Sequence, residues 1–511
     1  MPERMEFDFH FAQPQTREAT RPRSDTPMRL LVMGDFTGRG NRGVESPADV
    51  AERPLVAVDV DNLEQVLFRF NPRLHLPIGD PAGPSMAVEF KQLDDFHPDR
   101  LYQQLDVFQA LRETRKRLSD PATFAQAAAE LRHEAEQRPA PANKDEEVLA
   151  EDDAATFERL LGRGPVSSPD ARVAPPAARI DVQKFIKDIV APYIVPQADP
   201  FQDQYVGSVD TAIGAQMRRL LHHPAFQALE SVWRGIHWLI SNLESGESLK
   251  LYLLDITKEE LRADIEGAQD NLAASGLYRL LVEQEVGMLG GEGWSVLLGN
   301  YTFGTSAADL SLLAALGAIG SQAGGPFVAA ADARVLGCRS VAETPDAKDW
   351  NRDDSAAEQR WQAVRHCNAA SWIGLALPRM LLRLPYGKQT DAIDAFDFEE
   401  LTPERVHEDY LWGNPVLACA LLIGRAFLAR GWNMEPGDEL EVDDLPAHVY
   451  VDEDESKLQA CAEAYLSERT ADAILERGIM PLVSYQNRNA VRVFRFQSVA
   501  DPVKPLAGPW G

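Results

Sequence analysis

Residues 220–240, LLHHPAFQALESVWRGIHWLI, carry the densest helical signal in the chain, and their reading decides how the rest is read. Apolar residues recur every three or four positions, from Ile213, Met217 and Leu220 or Leu221 through Phe226, Leu229, Trp233, Ile236 and Ile240. The spacing predicts one continuous buried stripe on two helices broken at Pro224. Pro224 suits the first turn of the second helix, where its missing N–H costs nothing, and Glu230 with Arg234 is expected as an i,i+4 pair on the exposed side. A helix holding both Trp233 and Trp238 is a packing element first.

Working outward, 511 residues predict two or three domains, each able to bury an ordinary core. A formal charge of −28 disfavours a nucleic-acid partner, because phosphate binding needs a concentrated basic face. No basic region followed by an apolar run opens the chain, and residues 416–432, the most apolar later segment, are interrupted by Arg425 and Arg430. Neither a signal peptide nor membrane insertion is expected. Cys338, Cys367, Cys419 and Cys461 show no CxxC spacing, so reduced thiols in a cytoplasmic protein are expected.

Residues 5–11, MEFDFHF, place Phe7, Phe9 and Phe11 on one face of a half-buried strand. A tether without periodicity follows, so residues 1–27 read as a strand arm seeking a sheet, its own or a neighbour's. Residues 28–138 read as a small α/β domain: strands at 28–36, 55–60, 73–76 and 86–91, a helix at 62–70 begun by Asp61 with Glu64, and one amphipathic helix through Leu101, Leu105, Phe108 and Leu111. Residues 139–178 are acidic and rich in Pro and Ala, which marks a linker with one docking helix at 157–161. Residues 179–511 alternate strand and helix: strands at 249–256, 294–298, 327–331 and 372–377, helices at 277–286 and 307–319, a Thr257–Glu260 capping box, and a helix at 416–430 capped by Asn414 and Pro415. A hairpin closes the series at 480–485 and 491–498. The alternation predicts a substantially parallel sheet.

The run His222-His223-Pro224, Phe226-Gln227, Leu229-Glu230, Trp233-Arg234-Gly235 resembles the large sheath subunit of the type VI secretion apparatus, and Leu298-Gly299-Asn300-Tyr301-Thr302-Phe303, Trp412-Gly413-Asn414 and Gly478-Ile479-Met480-Pro481 continue the likeness. Gly34-Asp35-Phe36 with Gly38-Arg39, Val58-Asp59, Pro72-Arg73-Leu74 and Leu93-Asp94-Asp95-Phe96 resemble the small sheath subunit. The resemblance implies an α/β protein of two sheath-type modules fused in one chain, with Pro224, Phe226, Leu229, Trp233 and Gly235 as its structural core signature. It also implies a hollow contractile assembly of this protein with itself or related sheath subunits, and an inner-tube protein, a baseplate and a recycling unfoldase as partners. Asn300 stands where the family usually has an acid. The large subunit also continues past the counterpart of Phe496-Gln497-Ser498, so a non-polymerising accessory of the same machine is the alternative expectation.

Chemistry is weakly signalled, and the expectation is a structural protein without cofactor, metal or catalytic residues. Gly38-Arg39-Gly40-Asn41-Arg42-Gly43 is a literal GxGxxG with Asp59 further on, but the following residues 45–53 are too short and polar for the helix that a dinucleotide needs. An enzyme using such a cofactor is the second alternative. Gly287–Gly293 lacks the Lys-Ser/Thr of a phosphate loop. Adjacent His222 and His223 point about 100° apart on a helix and are expected to pack or to cap near Pro224, while His366-Cys367 lacks an oxyanion-hole motif. The acidic runs 441–444 and 452–455 read as solvated loops. Arg379, Arg383, Arg492 and Arg495 pair either within the chain or with neighbouring copies.

Overall fold

The computed structural model describes residues 21–77, 85–137 and 202–510, apart from 245, 270, 289, 352–354 and 453. The segment with Phe7, Phe9 and Phe11, and the whole linker 139–178 with its expected docking helix, lie outside the described residues.

Fifteen strands are described: β1 (Met28–Gly34), β2 (Val56–Val58), β3 (Arg73–Pro77), β4 (Ser85–Glu89), β5 (Leu249–Asp255), β6 (Val296–Phe303), β7 (Phe327–Ala331), β8 (Ile373–Leu377), β9 (Met380–Leu381), β10 (Trp412–Gly413), β11 (Glu441–Val442), β12 (Val449–Asp452), β13 (Glu455–Leu458), β14 (Met480–Ser484) and β15 (Val491–Val493). Nine of them form one sheet in the order β11-β15-β14-β8-β7-β6-β1-β5-β2, and the others pair as β3–β4, β9–β10 and β12–β13. The strands from β5 through β1, β6, β7 and β8 to β14 run parallel, β2 and β15 run against them on the two sides, and β11, antiparallel to β15, ends one edge. Every residue of β1 is buried, as the apolar run from Leu30 to Met33 demands of a central parallel strand covered on both faces, and Arg29 is buried with Glu285 as its ion-pair partner.

The strand β1 of the first segment lies inside the sheet of the later one. Leu30 lies opposite Leu251 of β5 on one side and Val296 of β6 on the other, so residues 28–34 are the centre of the sheet built by the later segment. The chain divides instead into a unit of residues up to Leu101 with those from Gln216 onward, and a second unit, Tyr102–Ala215.

In the larger unit, Leu31 and Met33 join Leu254, Leu297, Phe327 and Leu375 in a core with Leu313, Leu316 and Ile319 of the Ala307–Ala323 helix. The Val416–Arg430 helix packs on β1, β6 and β7 and against the Pro224–Asn242 helix. It is long and apolar enough to span a membrane, but its residues from Val416 to Ile423 are all buried in the protein core. In the smaller unit, the Asp106–Ser119 and Phe124–Gln137 helices pack together, Phe108, Leu111, Leu131 and Val209 are buried, and Phe124 meets Tyr205 of the Gln202–Leu221 helix ring to ring at 5.9 Å. Arg115 Nε reaches Asp210 at 2.5 Å, and Gln202 Nε2 donates to the Leu118 carbonyl at 2.7 Å.

Local signals match where a cap or an apolar run dictates them. The Thr257–Glu260 capping box forms, Ser306 opens the Ala307–Ala323 helix, and the Asn414 side chain accepts from Val416 N–H at 3.0 Å. Elsewhere the structure differs from expectation. The helix after Pro98 is two, Pro98–Gln104 and Asp106–Ser119, because Leu105 is extended. The Leu63–Phe70 helix is organised by Asp59, whose carboxylate accepts from Asp61 and Asn62 N–H, while Glu64 turns to Leu93 N–H. The acidic runs are loop in part, with Asp443, Asp444 and Asp454 exposed outside strands, while Glu441 lies in β11 and Asp452 and Glu455 end β12 and begin β13.

Candidate functional site

Parallel α/β sheets collect polar groups beyond the carboxyl ends of their strands. Here the segments after β1 and β5 meet in that position. Asp255, the last residue of β5, accepts from Phe36 N–H at 2.8 Å, Thr37 Oγ1–H at 2.9 Å and Arg39 Nη2 at 2.6 Å. One turn on, the fully buried Glu260 carboxylate takes Arg53 through both Nη1 (2.8 Å) and Nη2 (2.6 Å), Arg39 Nη1 (3.1 Å), and the N–H groups of Ser46 and Thr257. Burial alone would raise the Glu260 carboxyl, but Arg53 and the backbone donors overcome it and hold the group down at about 2. Such a fork-to-carboxylate arrangement rigidly registers two chain segments.

The same junction has an aromatic half. Trp233 is fully buried and donates its indole N–H to the Phe36 carbonyl at 2.9 Å. The rings of Phe36, Phe70 and Trp233 lie 5.5 to 5.7 Å apart in tilted and edge-to-face contacts. Phe226, two helical turns before Trp233 on the same face, meets Phe90 and Phe96 at 5.8 Å. Residues 28–96 and 224–260 are therefore joined by ring contacts, a shared sheet and a buried ion-pair network.

Each residue of the core signature has a visible packing duty. Pro224 is the first residue of its helix, and His223 Nδ1 accepts from Ala225 N–H at 3.2 Å as the cap. Phe226, Leu229 and Trp233 are buried, and at Gly235 an added Cβ would collide with Leu417 Cδ1 of the crossing helix. The exposed placement expected for the Glu230–Arg234 pair is wrong. Glu230 is wholly buried; its carboxylate holds Arg234 at 2.6 Å and also Arg383 at 2.9 Å. Arg383 continues to Glu400 at 2.7 Å, and Glu400 also accepts from Tyr386 N–H. Burial opposes the charge on Glu400, yet Arg383 beside it keeps that carboxyl at about 2. Sequence reasoning missed this network because Glu400 and Arg383 carry no local signal of burial; only a face already filled on both sides of the helix leaves Glu230 inside.

The remaining polar motifs are satisfied within the chain. The Arg39–Arg42 helix has only four residues, and the N–H groups of Arg39 and Gly40 at its start donate to Asp35 at 2.9 and 3.0 Å. A carboxylate therefore already occupies the donors that a dinucleotide phosphate would need. Gly287–Gly293 turns the chain toward β6. Burial raises the Cys367 thiol, opposite to the shift of an activated nucleophile, and His366 Nδ1 lies 2.7 Å from the Gln362 carbonyl. His222 Nδ1 is 3.2 Å from Asp409 while its Nε2 faces Glu400 at 3.7 Å, so its two nitrogens address different acids. Arg379 lines a cleft of about 230 Å³ beyond β6 to β8 and is neutralised there by Glu463 and Glu408, at 2.6 and 2.9 Å. Arg495 bonds Gln497, and Arg492 lies opposite Glu441 in the β11–β15 register.

Comparison with known proteins gives two separate matches. Residues 203–500 match the tail sheath N-terminal domain family VipB, and residues 3–151 match the type VI secretion system family VipA. The chain is 33% identical over 310 residues, 59% of its length, to the type VI secretion system sheath protein TssC1 of Pseudomonas aeruginosa, and it spans 62% of that protein. It is 28% identical over 102 residues, 19% of its length, to the sheath protein TssB1 of the same organism, spanning 58% of that one. The chain thus spans less than two thirds of each relative it matches.

Proposed function

The chain belongs to the type VI secretion sheath proteins, with a small-subunit segment and a large-subunit segment fused in one polypeptide, and from that premise we propose that it is a structural subunit of a contractile sheath. The observation that carries the reading is the placement of β1 between β5 and β6. What separate sheath chains must assemble by association, this chain assembles by folding, at the effective concentration of a single molecule. The buried Glu260 carboxylate, which takes Arg39 and Arg53 of the small-subunit segment, supplies the register of that union.

Under this reading the partners are further copies or related sheath subunits, an inner-tube protein, a baseplate and an unfoldase, and the protein works in the cytoplasm. Contraction then requires interfaces with two packings of similar energy. Residues 5–11, with Phe7, Phe9 and Phe11, are under this reading the segment that reaches a neighbouring copy. No enzymatic step enters, and no bound group is needed.

Electron microscopy of the purified full chain tests the proposal. Tubes or stacked rings support it; uniform small particles at high concentration favour the non-polymerising accessory instead.

A further inference from the structure

A cleft of about 270 Å³ lies at the amino ends of the parallel strands, across the sheet from the Glu260 junction. Pro27, Ser295 and Trp372 line it, and each immediately precedes a strand, β1, β6 and β8 in turn. Three tryptophans wall it: Trp294, Trp372 and Trp432 are 1%, 4% and 6% exposed. Trp294 also buries its indole N–H with no acceptor among the described residues. The turn that reaches Gly291 of the rim carries Met288, 67% exposed, whose carbonyl accepts from Gly291 N–H at 2.9 Å. An aromatic cleft beside an exposed methionine is a surface that gains from a cover.

The rim is built from the first described residues. Pro22 and Pro27 line it, the Thr26 carbonyl accepts the Trp432 indole N–H at 2.8 Å, and Arg21 Nε donates to the Trp510 carbonyl at 3.1 Å, next to Pro509 of the lining. Residues 1–20, outside the described residues, therefore join the structure at this rim. Phe11 precedes Arg21 by ten residues, a length of chain that spans at most about 36 Å. We propose that in a free copy residues 5–11 occupy that copy's own cleft, with Phe7, Phe9 and Phe11 packed on its tryptophans. So short a tether gives the segment an effective concentration on the order of millimolar, so the contact forms within one chain before it forms between chains. The cleft is then an autoinhibitory seat, and release of the segment to a neighbour is an exchange of one element between copies. The inference rests on the sheath reading for that exchange and adds where the segment waits.

The test uses the full chain, at a dilution where sedimentation velocity shows single copies, and a fluorescein-labelled peptide of residues 5–11 as the probe. Fluorescence anisotropy is expected to show the peptide binding the chain that carries Phe7→Ser, Phe9→Ser and Phe11→Ser. Wild type is expected to bind it at least tenfold more weakly, because its cleft is already filled. In the serine chain, Val286→Arg at a half-buried position of the lining is expected to remove peptide binding, and Met288→Lys on the exposed turn to weaken it severalfold, with the melting transition kept. Equal binding to wild type and the serine chain, no binding to the serine chain, or binding indifferent to both cleft changes would each overturn the proposal. None of these outcomes bears on the sheath reading, which fails separately if the wild-type chain forms neither tubes nor rings under the electron microscope.

Discussion

Trp233 gives its indole N–H to the backbone carbonyl of Phe36 at 2.9 Å, across 197 residues of sequence. The bond sits inside a ring cluster with Phe70, so it is shielded from water and ties the segment after β1 to the helix that begins at Pro224. Trp233→Phe keeps most of the ring contact but orphans the carbonyl, and is expected to cost about 1–3 kcal/mol. Trp233→Ala opens a cavity as well and is expected to cost about 3–5 kcal/mol. Urea unfolding of the two variants checks the order, and equal losses would show that the hydrogen bond contributes little.

Arg383 is the shared counter-ion of two buried carboxylates, Glu230 and Glu400. Arg383→Met leaves both without it and is expected to destabilise by about 3–5 kcal/mol. Adding Glu400→Gln to that variant is expected to recover part of the loss, since one uncompensated charge is removed. Denaturant midpoints of the two variants measure the difference.

Acid sensitivity follows from Glu260 and Glu400, both lowered from an ordinary 4.5 to about 2 in the folded protein. A depressed carboxyl favours folding in full above its unfolded value, and that contribution is lost as pH falls through the folded value. Stability is therefore expected to drop between pH 4.5 and about 2. Asp35 runs the other way, because burial raises it, so its cost is relieved on acidification. Glu260→Gln is expected to flatten the fall of the melting temperature over this window; an unchanged slope counts against the assignment.

At Gly235 helix propensity and packing oppose each other. Gly→Ala in a helix interior ordinarily gains up to about 1 kcal/mol, but the new methyl would strike Leu417, and overpacking of this kind costs about 1–3 kcal/mol. Gly235→Ala is expected to lower the melting temperature, and Leu417→Ala in the same chain to restore part of it. Thermal unfolding of the pair decides the sign.

Deleting residues 5–11 is expected to abolish higher assembly and leave a folded particle, as read by electron microscopy with circular dichroism. Unchanged assembly would mean that Phe7, Phe9 and Phe11 do not bridge copies.

Much of the local structure was legible because its causes are local. The stripe through Phe226, Leu229 and Trp233 specifies a buried helix face by spacing alone, the Thr257–Glu260 box marks a helix start, and the apolar run of β7 stands out as a buried strand. The burial of Glu230 was not legible. On its own helix it pairs with Arg234 as a surface residue would, and only Arg383, brought in from 153 residues away, converts that pair into part of an interior network.

By itself the sequence determined many of the helices and strands, the apolar face of the Pro224–Asn242 helix, and which family signatures occupy the two stretches of chain. The tertiary structure alone decided that those stretches share one sheet, that β1 is its centre, and that the Gly38–Gly43 loop spends its first N–H groups on Asp35. Periodicity and capping act over a few residues and leave a record in them. Strand order and the partners of buried charges depend on contacts between residues hundreds of positions apart, and a backbone hydrogen bond in a sheet leaves no mark on the side chain that carries it.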